Sequence, residues 1–117
     1  MESIQEYINH LDGDAKAWMS EFVNHMETNY PFLEVTMLDN IPTYIFDNTF
    51  IAFAANDQHF TLYTHDYYNV DELKSANIKD LFGKGCIRIN YTNAESKPIL
   101  FYLIHKIIGE RMDMNLA

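Results

Sequence analysis

Between Glu34 and Tyr63 the apolar residues recur at every second position and are largely β-branched or aromatic, whereas on both sides of that stretch they recur every three to four. A period of two suits a strand with one buried face, and a period near 3.6 suits a helix laid on a core. The chain must therefore fold as helices flanking a sheet. Strands are expected at 34–38, 42–46, 50–55 and 59–63. Asp47-Asn48 and Asn56-Asp57, residue types that tolerate the left-handed region, join the last three as tight hairpins in an antiparallel meander. Cys86 to Asn90 alternates as a fifth strand after the Gly83-Lys84-Gly85 break.

Ahead of the sheet, Ile4, Tyr7, Ile8 and Leu11 mark a short helix, with Ser3 and Glu6 placed to close a capping box. Asp12-Gly13 turns the chain. Ala15, Met19, Phe22 and Met26, flanked by Trp18, Val23 and Tyr30, form the stripe of a second helix that Pro31 stops. A short helix is expected from Asp71 after an Asn69 cap, with a further turn over Ile78 to Phe82. Ser96 and Pro98 open a last helix that turns Ile99, Leu100, Leu103, Ile104, Ile107 and Ile108 inward. The fold class is α+β: one domain over 1–117, an antiparallel sheet of about five strands between N-terminal helices and a C-terminal helix.

A chain of 117 residues, 48% hydrophobic and with only 4 Gly and 3 Pro, can bury a core without disulfides or structural metal. Its single cysteine, Cys86, cannot form an internal bridge. The formal charge is −9 and is unevenly placed: residues 1–73 carry 13 acids against Lys16 alone, and the remainder is net positive. Such a field argues against nucleic acid and anionic membrane as partners and favours cations or basic partners. The first residues, Met-Glu-Ser-Ile-Gln-Glu, have neither a basic run nor a long apolar run, and the longest apolar stretch, Ile99 to Ile104, is too short to span a bilayer. A cytoplasmic location is the expectation.

The chemistry-bearing residues are sparse. At ~100° per residue, Asp14, Glu21 and His25 fall in one narrow stripe beside the buried face of helix 2. Glu21 and His25, one turn apart, are a carboxylate and an imidazole able to share a metal ion of the ferrous, manganous or zinc type. Glu2 or Glu6 on helix 1, or Asp39, would have to complete the set. The five histidines have no HxH, HxxxH or HExxH spacing, and the Gly83-Lys84-Gly85 loop matches neither a Walker loop nor a dinucleotide fingerprint. His65 beside Asp66 is the histidine best placed for chemistry outside helix 2. Cys86 shares a strand face with Lys84 and Arg88 but has no evident His-Asp partner, so a half-buried structural residue is expected. Lys84 and Arg88 offer an edge for an anionic ligand or an acidic partner. The aromatic residues from Tyr44 to Tyr102 exceed what one core needs, so some line a groove or the exposed sheet face; Pro42, Tyr44 and Tyr63 are the candidates there.

Several local signatures run in the same order as in a known family. They are the Ile4, Tyr7 and Ile8 start of helix 1, the Pro42-Thr43-Tyr44 strand, the Phe50–Phe53 and His59–Tyr63 hairpin, Gly83-Lys84-Gly85-Cys86-Ile87-Arg88-Ile89, and Lys97-Pro98 opening the last helix. From about Ile4 to Arg111 the chain resembles the YdhG-like domain family of small bacterial proteins. One departure is Asn40, where the family usually has Gly; asparagine still reaches positive φ.

Some members of that family are described as frataxin-like intracellular iron chaperones. The resemblance thus implies a non-enzymatic iron-binding or iron-delivery protein holding Fe²⁺ weakly and exchangeably. Glu2, Glu6, Asp14, Glu21 and His25 would form its acidic ridge, and an iron-acceptor protein would be its partner. The alternative is a small-ligand or protein-interaction module using the aromatic sheet face and the Lys84/Arg88 edge. A monomer or weak homodimer is expected, and no acid–base or nucleophile constellation for an enzyme is evident.

Overall fold

The computed structural model describes residues 3–66, 69–70, 81–83 and 85–111. Helix α1 (Ile4–Asn9) opens with the expected capping box: Glu6 N–H donates to Ser3 Oγ at 3.1 Å and Ser3 N–H donates to Glu6 Oε1 at 3.3 Å. Helix α2 (Gly13–Asn29) begins at Gly13, whose φ of +55° glycine adopts without a Cβ penalty. It ends at Tyr30, the residue before Pro31, where the following ring disfavours helical backbone. Ala15, Trp18, Met19, Phe22, Val23 and Met26 make up its buried face.

The strands are β1 (Glu34–Leu38), β2 (Ile41–Phe46), β3 (Thr49–Ala55), β4 (His59–Thr64), β5 (Leu81–Gly83) and β6 (Cys86–Asn90). All neighbours are antiparallel in the order β1-β2-β3-β4-β6-β5. The five expected strands are thus present, with a sixth short strand at one edge. That strand is a correction, since Leu81 and Phe82 were expected in a helical turn; the segment expected as a helix from Asp71 lies outside the described residues.

Two hairpins turn on left-handed pairs, Asp39-Asn40 (φ 52° and 66°) and Asp47-Asn48 (φ 42° and 62°). Asn40 thus reaches positive φ without being glycine. The β3–β4 turn works differently: Asn56 Oδ1 accepts from the N–H groups of Gln58 and His59 at 2.9 and 2.8 Å, an Asx turn that needs no positive φ.

After a 3₁₀ turn at Ala94–Ser96, helix α3 (Lys97–Arg111) buries Leu100, Leu103, Ile104, Ile107, Ile108 and Gly109; Ile99, expected inward, is half-buried. The core lies between the helices and one sheet face, where Tyr44 pairs with Ile51, and Phe53, Leu62 and Ile87 lie in one cross-strand row. Phe22 stands at its centre, in ring contact with Trp18, Phe53, Phe60 and Phe101. No described helix is long and apolar enough to cross a membrane.

Candidate ligand groove on the helix-free sheet face

Because successive side chains alternate, the residues between the core positions form the opposite sheet face, which carries no helix among the described residues. Thr43, Ala52 and Tyr63 lie in one cross-strand row there. Thr43 and Ala52, each 2% exposed, floor a groove of about 530 Å³. Leu38, Ile41, Phe50 and Ala54 wall it; Asp39, Tyr63 and His65 bring the polar groups. Thr43 Oγ1 is satisfied within its own strand, donating to Ile41 O at 3.1 Å, and the His65 ring meets Phe50 edge-on at 4.6 Å. The site therefore has apolar walls with a carboxylate, a phenol and an imidazole at hand.

Of the residues singled out for a ligand, Tyr63 lines this groove. Tyr44 does not: it is paired across with Ile51 on the core face, 3% exposed, with a hydroxyl that finds no partner among the described residues. Burial, reinforced by the Glu27 charge, pushes its phenol far above the ordinary value. Pro42 is buried, Arg88 is exposed on β6, and Lys84 lies outside the described residues. Cys86 is half-buried on β6. The sequence reading missed Ile41, Thr43, Ala52 and Ala54. Their signal was the second member of each alternating pair, with the small Ala52 and Ala54 opening space between bulkier neighbours.

The acidic residues are dispersed in use. Glu6 closes the α1 capping box, and Asp14 is exposed in the first turn of α2. Glu21 Oε1 receives Lys97 Nζ at 2.8 Å, and that ammonium also sits 4.5 Å from the centroid of the Trp18 ring. Glu2 lies outside the described residues. Among the described residues no three His, Cys, Asp or Glu side chains are grouped to hold a metal.

His25 belongs to the α2–α3 seam. Its ring stacks on Phe101 at 4.2 Å between centroids and stands edge-on to Tyr30, whose hydroxyl lies 3.2 Å from His105 Nδ1. Nδ1 of His25 is 3.3 Å from Asn29 Nδ2, while Nε2 is buried with no partner among the described residues. Burial lowers the imidazole pKa below 6.5, His105 adds to the lowering, and the Glu21 carboxylate opposes it. The unfolded chain therefore binds this proton more readily than the folded one. The stabilisation is complete above about pH 6.5 and is lost as pH falls from there through the folded value. His25→Gln is expected to flatten this part of the profile: in urea titrations between neutral and mildly acidic pH, the wild-type and variant midpoints converge on acidification. Parallel profiles would contradict it.

A buried polar cluster closes the far end of β4. Asn69, 2% exposed, donates from Nδ2 to Asp66 Oδ2 at 2.8 Å and to Glu110 Oε1 at 2.9 Å; its N–H donates to Asp66 Oδ1 at 3.2 Å. One amide thus ties the strand end to α3.

No protein-family model and no curated protein matches the chain. Among solved structures it is similar to a protein of the DUF1801 family, YdhG of Bacillus subtilis, with a TM-score of 0.79 at 18% identity over 94% of this chain and 91% of that one. The likeness covers the sheet and the helices at both ends, and at that identity it speaks for architecture. The chain therefore has the fold of a YdhG-like α+β domain.

Proposed function

We propose that this is a non-catalytic binding domain whose helix-free sheet face takes a small molecule with a flat apolar body and a basic group. The groove carries the reading: about 530 Å³ is ordinary for a small-molecule site, and its walls are apolar with few polar groups. Asp39, held on the left-handed β1–β2 turn, supplies a carboxylate beside those walls. A net charge of −9 favours a cation over an anion.

The test is an amide-shift titration with a matched pair of probes, 2-naphthylmethylamine and 2-naphthoate. The amine is expected to shift Ile41, Thr43, Ala52, Ala54 and Tyr63 and to bind up to about fivefold more tightly than the acid, the worth of one exposed ion pair. Ala54→Phe, which fills the groove from its wall, is expected to remove binding and leave the melting temperature within a few degrees. Shifts absent at millimolar amine, or centred on α1 and α2, would overturn the reading. Iron delivery by the acidic helices rests on the family resemblance, and the geometry favours it less because Glu21 is engaged by Lys97. An anaerobic Fe²⁺ titration separates the two, since iron would perturb Glu21 and His25 and spare the groove.

A further inference from the structure

Strand β1 ends the sheet, with β2 on one side and no strand on the other among the described residues. Its hairpin fixes which backbone groups face outward. The two-residue turn at Asp39-Asn40 closes on Leu38–Ile41, and a closing pair of that kind is hydrogen-bonded. Bonded and non-bonded pairs then alternate back along the ladder, so Thr36–Thr43 and Glu34–Ile45 are bonded while Met37–Pro42 and Val35–Tyr44 are not. Pro42, which has no N–H to give, agrees with this phase. The outward-facing N–H and C=O groups of β1 are therefore those of Val35 and Met37.

The usual protections of an edge are lacking here. β1 carries no proline and no lysine, and its one charge is Glu34. Large apolar side chains are exposed along it, Val35 at 43% and Leu38 at 51%, with Phe32 at 54% just before the strand. The opposite edge, β5, is only three residues long, itself a protection.

We infer that β1 is a pairing edge on which a second copy of this chain adds its own β1 antiparallel, about a two-fold axis through Thr36, to make one continuous sheet. Self-complementarity identifies the occupant. In that register Val35 meets Met37 of the second copy and Met37 meets Val35, so the outward groups close four main-chain hydrogen bonds. Val35 and Met37 lie on the same strand face, so the pairing also sets apolar against apolar, while Glu34 meets Leu38 and not another Glu34. A five-residue edge is small against a standard interface, so the dimer is weak and exchanging. Two chains of −9 repel, so salt strengthens it.

The experiment is sedimentation of the full chain over a micromolar-to-millimolar series at about 0.05 and about 0.5 M salt, with amide hydrogen exchange at both ends of the series. Expected are a monomer–dimer equilibrium tighter in high salt, and protection gained with concentration at Val35 and Met37, while Thr36 is protected throughout. Met37→Pro removes two of the four bonds and is expected to weaken association about 10- to 30-fold. Val35→Lys, which leaves the backbone intact, is expected to weaken it as well and covers the case in which the proline variant fails to fold. A chain monomeric at every concentration, a dimer indifferent to Val35→Lys, or protection gained elsewhere than β1 would each overturn the inference.

Discussion

Phe22→Ala is expected to lower stability by about 3–5 kcal/mol, the ordinary cost of emptying a fully buried phenylalanine site. Phe22 is 0% exposed, and its ring contacts come from three layers: Trp18 on its own helix, Phe53 and Phe60 on the sheet at 5.5 and 4.5 Å, and Phe101 on α3 at 4.6 Å. Collapse into the vacated space would have to move rigid rings held by separate elements. Residual cavity therefore remains, and its cost adds to the lost transfer energy. For a domain of this size the melting temperature falls on the order of 15 °C. Phe22→Leu, which keeps most of the volume, is expected to lose only about 1–1.5 kcal/mol. Urea and thermal unfolding measure both, and an alanine variant within about 1 kcal/mol of wild type would mean that the aromatic joint does not hold the layers together.

The same joint marks how far the sequence could be read. Helix α2, strands β1 to β4 and β6, and α3 follow from their periods, because each is long enough to repeat its pattern, and the α1 capping box follows from Ser3 and Glu6 alone. β5 was not legible. Three residues establish no period, and what makes Leu81–Gly83 a strand is its pairing with Cys86–Arg88 across the turn.

The candidate site was half legible for a related reason. A period of two says that Tyr44 and Thr43 face opposite ways and leaves open which of them meets the helices. That is decided where α2 and α3 dock. Tyr44 went to the core, Thr43 to the groove, and Tyr63 to the groove as expected. Likewise spacing puts Glu21 and His25 one turn apart on α2, but the partner of Glu21, Lys97, lies 76 residues away, and no local spacing announces such a contact. Charge counts divided the sequence into an acidic and a basic half; folding brings Lys97 of the basic half onto Glu21 of the acidic one.

Asn69→Leu is expected to cost about 2–4 kcal/mol, although leucine repeats the branched side-chain skeleton of asparagine. The loss is of donors. Asp66 is 6% exposed and leans on Asn69 through both the side-chain amide and the backbone N–H, and Glu110 of α3 shares that amide. Leucine retains the backbone bond but removes the NH₂ group that both carboxylates use, leaving two anions facing an apolar side chain. Bonds to charged groups are worth about 1.5–3 kcal/mol each, and a buried carboxylate deprived of its donor is the more expensive half. Glu110→Gln, at the exposed end of the cluster, is expected to cost under about 1 kcal/mol, because its amide oxygen still accepts from Asn69. In the double variant the two changes are non-additive: with Glu110 already neutral, Asn69→Leu costs less, because Asp66 no longer faces a second charge. Added salt acts in the same direction on Asn69→Leu alone, screening the partly exposed pair. Strict additivity in urea unfolding would mean that Asn69 only fills space, and coupling would establish that it is the clasp between the end of β4 and α3.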